Sequence, residues 1–226
     1  MDFNGPRNMP RGSHYGSNYM KYKSAKLNRE VACYSSLEYF NLLCHEVNPE
    51  VEKYCEQPPL DVVIFDEDSK IKRTNFDVWV KFFNGYEELE EVKHSNELDE
   101  TNSENYQTIE QIRKQRKWCE EHNINYTIRT EKDIFLGDFY PHNIEIIAAR
   151  VRRYSNIDKD YYKKLLRGFI KAEGGAVPIK KLIEAEVLPF DDPFGFLALM
   201  YCEGFISMDI KDTPINYKTE VKLNEQ

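Results

Sequence analysis

The spacing of hydrophobic residues changes period several times along the chain, and each change marks a predicted element. Apolar residues recur at helical spacing after an S-x-x-E capping pair formed by Ser35 and Glu38, whereas residues 75–83 alternate between apolar and polar positions as a strand does. The dipeptide Asn84-Gly85 then predicts a hairpin turn. Within the first 134 residues the pattern predicts strands at 29–34, 51–57, 60–65, 75–83, 86–94 and 125–130, and helices at 35–47 and 104–121.

The order of these elements predicts an α/β (α+β) fold with an αβββαβ core. Its sheet is expected to be mixed, because the last strand is reached through a helical crossover. The composition shifts after Asp133, where helices are predicted at 143–154, 158–171, 177–187 and 191–202, followed by a hairpin of residues 205–210 and 217–223. Short helices followed by a β-hairpin are typical of a small winged-helix domain, which binds either DNA or protein.

Three segments follow from these patterns. Residues 1–24 are rich in Gly, Asn, Ser, Tyr and Arg without periodicity and predict a flexible basic arm, either an untidy terminus or an arm that touches phosphates. Residues 25–134 form the predicted α/β domain, and residues 135–226 form the predicted winged-helix domain.

Composition excludes several classes of protein. With 41% hydrophobic residues in 226, the chain can bury real cores, yet no run approaches the ~18 apolar residues that span a bilayer. The beginning lacks the basic-then-apolar layout of a signal peptide. The five cysteines are scattered without a CxxC pair, which is typical of reduced thiols rather than of disulfides or a zinc cage. We therefore expect a cytoplasmic protein.

The net charge of −8 is distributed unevenly. Residues 1–30 carry +4, residues 31–134 carry −11 from 12 basic and 23 acidic groups, and residues 135–226 carry −1. By itself the middle segment would repel a polyanion, so a role in nucleic-acid chemistry requires bound cations or a cationic partner.

The candidate chemistry lies in the predicted hairpin, at Asp77 and at Glu91-Val92-Lys93. Phosphodiester hydrolysis needs oxygen ligands for Mg²⁺ and a positive group beside the attacking water or the phosphate. Asp77, Glu91 and the Val92 carbonyl are candidate ligands, and Glu38 from the first helix could complete the acidic cluster. Lys93 lies two residues after Glu91 and therefore on the same face, where it could orient or deprotonate the water.

The register of the hairpin tests this hypothesis. A two-residue turn at Asn84-Gly85 would place Asp77 and Glu91 on opposite sides of the sheet. A three-residue loop with Gly85 as a left-handed bulge would place them opposite each other, with Cβ atoms about 4.5–5.5 Å apart. We predict the bulged register, which pairs Lys81 with Glu87 as an ion pair and keeps one apolar face, formed by Phe76, Val78, Val80 and Val92.

The order helix-Glu, strand-Asp, strand-ExK, helix, strand resembles the PD-(D/E)XK superfamily, which has the restriction-endonuclease-like fold. Within it, EVACYSSLEYFNLLCHEVNPEVEKYCEQPPL (residues 30–60) resembles TnsA, the endonuclease subunit of a heteromeric transposase, whose members similarly place a strand ending in Glu-Gln-Pro after a hydrophobic helix. The resemblance covers about residues 25–226. Two positions differ from the usual pattern, since Phe76 replaces a proline and Glu91 replaces the glutamine of some members.

The resemblance implies a Mg²⁺-dependent endonuclease, with Mn²⁺ as a substitute and two ions bound. Its catalytic residues would be Glu38, Asp77, Glu91 and Lys93. Such proteins cut the 5′ strands of double-stranded DNA at transposon ends, while a TnsB-type transposase cuts and joins the 3′ strands and a TnsC-type ATPase contacts the C-terminal region. The expected location is the nucleoid of a bacterial cytoplasm.

Two other functions are consistent with the residues alone: a stand-alone restriction or repair nuclease of the same superfamily, and a non-catalytic adaptor of a DNA recombination complex. One further pattern is a glutamine stripe on the second helix, formed by Gln107, Gln111 and Gln115. We interpret this stripe as a solvated helix face.

Overall fold

The computed structural model describes residues 1–7, 19–60, 62–65, 71–151 and 158–224, and the chain divides into two compact units. The first unit takes its described residues from 1–22, 26–45 and 50–134, and the second from 23–25, 46–49 and 135–226. None of the helices in the described ranges is both long enough and apolar enough to span a membrane.

The first unit is built around a mixed four-stranded sheet. The strand order is β3-β6-β7-β8, in which β8 runs parallel to β7 and the other neighbours are antiparallel. The predicted mixed α/β fold is thereby confirmed for this part of the chain. Its elements are β1 (Met20–Lys23), β2 (Glu30–Cys33), α1 (Ser36–Val47), β3 (Val51–Glu56), β4 (Val62–Phe65), β5 (Ile71–Thr74), β6 (Val78–Phe82), β7 (Glu87–Val92), α2 (Tyr106–Glu121), β8 (Asn125–Arg129) and α3 (Glu131–Ile134).

The hairpin between β6 and β7 has the predicted bulged register. Val78 pairs with Glu90 and Lys81 pairs with Glu87, and the residues between them pair one to one without a shift in register. Gly85 has a φ of +84°, a left-handed conformation that glycine adopts without a steric penalty. This register brings Asp77, just before β6, to the level of Glu91.

Two details of that hairpin differ from the prediction. Phe76 packs in a buried cluster with Trp79, Leu89 and Cys119, rather than with Val78 and Val80. The strand begins only at Val78, so the alternation that relates Val78 to Val80 does not extend back to Phe76. The ammonium of Lys81 lies 3.1 Å from Glu52 on the other neighbouring strand, and this pair replaces the expected one with Glu87.

Neighbouring carboxylates of β7 show how the two long helices lie on the sheet. Glu90 is bonded to Asn41 and His45 of α1, whereas Glu91 is bonded to side chains of α2. Because consecutive strand residues point to opposite faces, α1 and α2 cover opposite faces of the sheet. The end of β7 therefore lies between two helices that can both contribute side chains.

The predicted flexible arm is corrected by the residues at its two ends. Met20–Lys23 pairs with β2 as a strand, and Phe3 packs edge-on against the buried ring of Trp79 at 5.2 Å. Backbone pairing and aromatic packing override the lack of periodicity that suggested an arm. The middle of the predicted arm, residues 8–18, lies outside the described residues.

The second unit contains four helices and a three-stranded antiparallel sheet of order β10-β11-β9 among its described residues. Asp192 caps α7 through the Gly195 amide, and Gly204 follows the helix with a φ of +67°. The unit has its own apolar core around Leu166, Phe196 and Met200. The elements are α4 (Tyr140–Val151), α5 (Lys159–Ala172), β9 (Ala176–Pro178), α6 (Ile179–Glu184), α7 (Pro193–Cys202), β10 (Ile206–Met208) and β11 (Glu220–Leu223).

Candidate active site

The first unit contains a cavity of about 970 Å³ at the end of β7. Four predicted site residues line it: Glu38, Asp77, Glu91 and Lys93. They come from the first turn of α1, from the residue before β6 and from the end of β7, so 55 positions of sequence separate the first from the last. Val92, the fifth predicted residue, is 7% exposed, is not among the lining residues, and contacts Asp77 through its amide.

Asp77 is held by both its backbone and its carboxylate. Its N–H donates to the Glu90 carbonyl at 3.0 Å, and its own carbonyl accepts from the Gln57 amide at 2.8 Å. The carboxylate accepts from the Val92 N–H at 2.8 Å and from Gln57 Nε2 at 3.1 Å. Burial raises the pKa of Asp77 above its ordinary value, although the nearby Lys93 charge and these hydrogen bonds oppose the rise.

Glu91 is 1% exposed and is surrounded by donors. Lys93 Nζ lies 2.7 Å from Oε1, Gln111 Nε2 donates to the same oxygen at 2.8 Å, and Gln115 Nε2 donates to Oε2 at 2.9 Å. Burial and the charge of Asp77 nevertheless raise the pKa of Glu91 to about 7. The carboxylate is thus fixed in position but costly to ionise.

Glu38 lies in the first turn of α1, where one of its hydrogen bonds was expected from the capping pair and another was not. Ser35 Oγ accepts from the Glu38 N–H at 3.0 Å, which is the expected N-cap bond. The Glu38 carboxylate accepts from the Tyr34 N–H at 3.4 Å, a long hydrogen bond, and lines the cavity. Burial and the Asp77 charge raise the pKa of Glu38 to about 7.

Lys93 is the cation among these acids. Burial alone would lower its pKa, but the charges of Glu91 and Asp77 outweigh burial and raise it. With all four groups ionised, three carboxylates face one ammonium, and the cluster carries a net charge of −2. This excess of negative charge in a partly buried cavity favours the binding of a cation.

The donor atoms fit a hard divalent cation, which prefers carboxylate and carbonyl oxygens. Across the described ranges, however, no three His, Cys, Asp or Glu side chains lie close enough together to form a ready-made metal cage. Mg²⁺ is commonly held by only one or two carboxylates, with water and substrate phosphates in its remaining positions. Asp77 and Glu91 could serve as such a pair, and Glu38 lines the same cavity.

Glu90, the acid next to Glu91, has a different environment. It is 1% exposed and accepts from Asn41 Nδ2 at 2.7 Å, with His45 Nε2 at 2.8 Å. Burial alone would raise its pKa, but the charges of His45 and Arg129 hold it below the ordinary value. The Glu90 carboxylate is therefore paired with side chains of the fold, and it does not line the cavity.

The glutamine stripe of α2 is a site feature that the sequence interpretation missed. Gln115 is fully buried and bridges four groups: its Nε2 lies 2.8 Å from the Asn75 carbonyl, 2.9 Å from Glu91 and 3.3 Å from Thr74 Oγ1, and its Oε1 accepts from Tyr126. Gln111 also contacts Glu91. Of the three glutamines, Gln107 is the exposed one, and it lines the cavity. The helical spacing of Gln107, Gln111 and Gln115 indicated that the three side chains share one face of α2. Which part of that face is buried depends on how α2 packs on the sheet, and the spacing does not specify this packing.

Replacing Gln115 by Leu should destabilise the protein. The change leaves the Asn75 carbonyl and one oxygen of Glu91 without this donor in a buried place, at a cost of about 1–3 kcal/mol in the free energy of unfolding. Urea unfolding measures it, with Gln107→Leu on the exposed side of the same helix as the matched control, expected within about 0.5 kcal/mol of wild type. Equal stability of the two variants would contradict a structural role for the Gln115 bridge.

Positive side chains lie on the same cavity wall as the acids. Arg7, Arg73 and Lys114 line the cavity together with Glu110, and Lys114 Nζ is 3.9 Å from that glutamate. Two of these cations, Arg73 and Lys114, belong to the segment that carries −11 overall, so this segment has positive side chains at the cavity where a polyanion would approach the acids. The sequence left open an arm that touches phosphates for the segment that holds Arg7, but it gave no sign that Arg7 lines this cavity.

Comparison with known proteins agrees with this geometry. Residues 48–131 match the model of the family described as TnsA-like endonuclease N terminal, a range that contains Asp77, Glu91, Lys93 and the α2 glutamines. A search of curated proteins found no match. The family supports nuclease activity, a role in transposition and DNA as the substrate. Residues 48–131 are therefore similar to the N-terminal domain of TnsA-like endonucleases, which supports a TnsA-type endonuclease of the restriction-endonuclease-like superfamily.

Proposed function

We propose that this chain is the Mg²⁺-dependent endonuclease subunit of a heteromeric transposase and that it cuts the 5′ strands at transposon ends. The observation that carries this proposal is the meeting of Glu38, Asp77, Glu91 and Lys93 in one cavity, at the hairpin register that a shared site requires. The TnsA-like match over residues 48–131 supports the transposon end as the substrate.

In the proposed reaction, water attacks a backbone phosphorus of DNA. A new bond forms between the water oxygen and phosphorus, the bond from phosphorus to one ester oxygen breaks, one water proton is lost and the leaving oxygen gains one. When bound, Mg²⁺ (or Mn²⁺, with two ions in the proposal) would supply the Lewis acidity that polarises the phosphate and the attacking water. Asp77 and Glu91 would hold it, with the Val92 carbonyl as an additional oxygen.

Lys93 and Glu38 have separate roles in the proposal. The pKa of Lys93 is raised, so its ammonium acts as a cation that positions the water and the phosphate rather than as a base. Glu38 has the long hydrogen bond at 3.4 Å and supports the metal or its water. A carboxylate whose pKa lies near 7 is suited to accepting a proton at neutral pH.

The second unit is proposed to be a winged-helix domain that binds a TnsC-type ATPase regulator. The order α5-β9-α6-α7-β10-β11, with a three-stranded antiparallel sheet, supports this proposal, since β9 lies between the first two helices and the hairpin follows the third. Residues 135–226 carry a net charge of −1, which favours a protein partner over direct DNA binding.

A TnsB-type transposase is the proposed second partner. It would bring the DNA to a segment that carries −11 and would cut the 3′ strands. A subunit that cuts chromosomal DNA acts where the chromosome lies, so the proposed location is the nucleoid of a bacterial cytoplasm.

The test is strand cutting by the purified chain on DNA with transposon ends, alone and with the transposase and ATPase of the same element. We expect 5′-strand cuts only when Mg²⁺ or Mn²⁺ and the partners are present, and none in EDTA. Cutting by the chain alone would favour a stand-alone nuclease. No cutting together with no binding of divalent metal would favour a non-catalytic adaptor.

A further inference from the structure

The segment before the first strand is attached to the nuclease sheet at several points. Phe3 packs against Trp79 with ring planes at 88°, and Lys53 Nζ donates to Asp2 at 2.6 Å and to Asn4 at 2.7 Å. At the far end, the Arg7 N–H donates to the Gln57 carbonyl at 3.0 Å. These contacts place residues 2–7 along the strand that ends beside the cavity.

Arg7 brings a guanidinium into the cavity wall, next to the acidic cluster. Its Nη2 donates to Gln57 Oε1 at 3.3 Å, and Gln57 in turn donates to Asp77 Oδ1 at 3.1 Å. Gln57 has a φ of +41°, a strained conformation for a residue with a side chain. One glutamine side chain therefore separates Arg7 from Asp77.

The Arg7 guanidinium is incompletely satisfied. Within the described part of the chain, its buried Nε finds no hydrogen-bond acceptor. A buried donor without a partner costs about 1–3 kcal/mol, and a bound ion is one of the explanations for a donor left in this state. A phosphate group is suited to this donor, because its oxygens accept two parallel hydrogen bonds from the planar guanidinium.

We propose that Arg7 binds a DNA phosphate at the cleavage centre, so that the N-terminal segment completes the site that Asp77, Glu91 and Lys93 begin. This inference rests on the proposed function. It concerns a residue that precedes the matched range 48–131. The acidic cluster would repel a phosphate, and Arg7 offsets that repulsion from the same wall.

The test compares Arg7→Ala, Arg7→Lys and Arg113→Ala under single-turnover conditions, with DNA, Mg²⁺ and the partner proteins. Arg113 is the matched control, since it is exposed, pairs with Glu100 and Glu110, and is not a lining residue. We expect Arg7→Ala to slow 5′-strand cutting about 10²–10³-fold, the usual loss when one positioned donor is removed. Arg7→Lys should keep part of the rate, and Arg113→Ala should match wild type.

Two readouts distinguish phosphate binding from a merely structural role. Added guanidinium ion should restore part of the cutting by Arg7→Ala, and calorimetric titration with Mn²⁺ should give the same affinity for Arg7→Ala as for wild type. Loss of Mn²⁺ binding would mean that Arg7 acts only by holding Gln57 and Asp77, which overturns the inference.

The inference and the proposed function fail in different ways. If Arg7→Ala cuts at the wild-type rate, Arg7 binds no phosphate and the proposed nuclease stands. If the wild-type protein with its partners neither cuts DNA nor binds Mn²⁺, both are overturned.

Discussion

Asp77→Ala should reduce 5′-strand cutting by at least about 10³-fold while the 3′-strand reaction of the transposase partner continues. The substitution removes a candidate metal ligand from the cavity. When several side chains act together in one catalytic centre, removing any one of them abolishes most of the reaction rate. Quantifying both strand cuts on the same end-labelled DNA makes the comparison internal. Lys93→Ala should give a loss of similar kind, because it removes the ammonium that lies 2.7 Å from Glu91.

The control for this experiment is Asp99→Ala. Asp99 is an exposed acid of the same unit, bonded to Thr101 and absent from the cavity wall, so removing its charge should leave cutting unchanged. Urea unfolding of Asp77→Ala checks its folding, because the substitution relieves the repulsion that Asp77 exerts on Glu38 and Glu91 but also removes the acceptor of the Val92 N–H and of Gln57 Nε2. Undiminished 5′ cutting by Asp77→Ala would show that the cavity is not the catalytic centre.

Glu38→Gln should stabilise the metal-free protein at pH 8 and leave its stability almost unchanged at pH 4. In the folded protein the pKa of Glu38 is about 7, against an ordinary value of 4.5. The unfolded chain therefore gives up the proton first, so wild-type stability falls between those values as pH rises. The shift of the Glu38 pKa from 4.5 to about 7 corresponds to about 3 kcal/mol of lost stability above pH 7, which the neutral glutamine avoids.

The measurement is the difference in unfolding free energy between the two proteins across that pH range, since titrating groups outside the acidic cluster cancel. Glu121→Gln, at an exposed glutamate of the same unit, serves as the control and should give a flat difference. Saturating Mg²⁺ should reduce or reverse the advantage of Glu38→Gln at pH 8, because a bound cation compensates the ionised cluster. A pH-independent difference would mean that Glu38 is not a buried, repelled acid.

Local rules were sufficient to predict the hairpin that builds the site. The bulged register follows from Gly85 and from the need to keep one set of side chains buried, and the structure confirms it. Phe76 was assigned to the wrong face because alternation is meaningful only within a strand, and the strand begins two residues later at Val78. Where an element begins is decided by tertiary packing, here by the cluster around Trp79.

The surroundings of the site were beyond prediction because they depend on long-range contacts. Polarity made Gln115 look like a surface residue, but the hydrogen bonds to Glu91 and Asn75 replace the water it loses on burial. The N-terminal residues show no periodicity, and their position follows from single contacts such as that of Phe3 with Trp79. The short strands β5 and β9 were also missed, since three or four residues carry too little pattern.

The most direct test of the central claim is a crystal structure of the protein grown or soaked with Mn²⁺, examined for anomalous scattering. If Asp77 and Glu91 hold the metal, an anomalous-scattering peak lies in the cavity within bonding distance of their carboxylate oxygens, with Lys93 beside it. A peak that is absent from this cavity, or that lies only at other acids of the chain, would contradict the assignment of the cavity as a metal-dependent DNA-cutting centre.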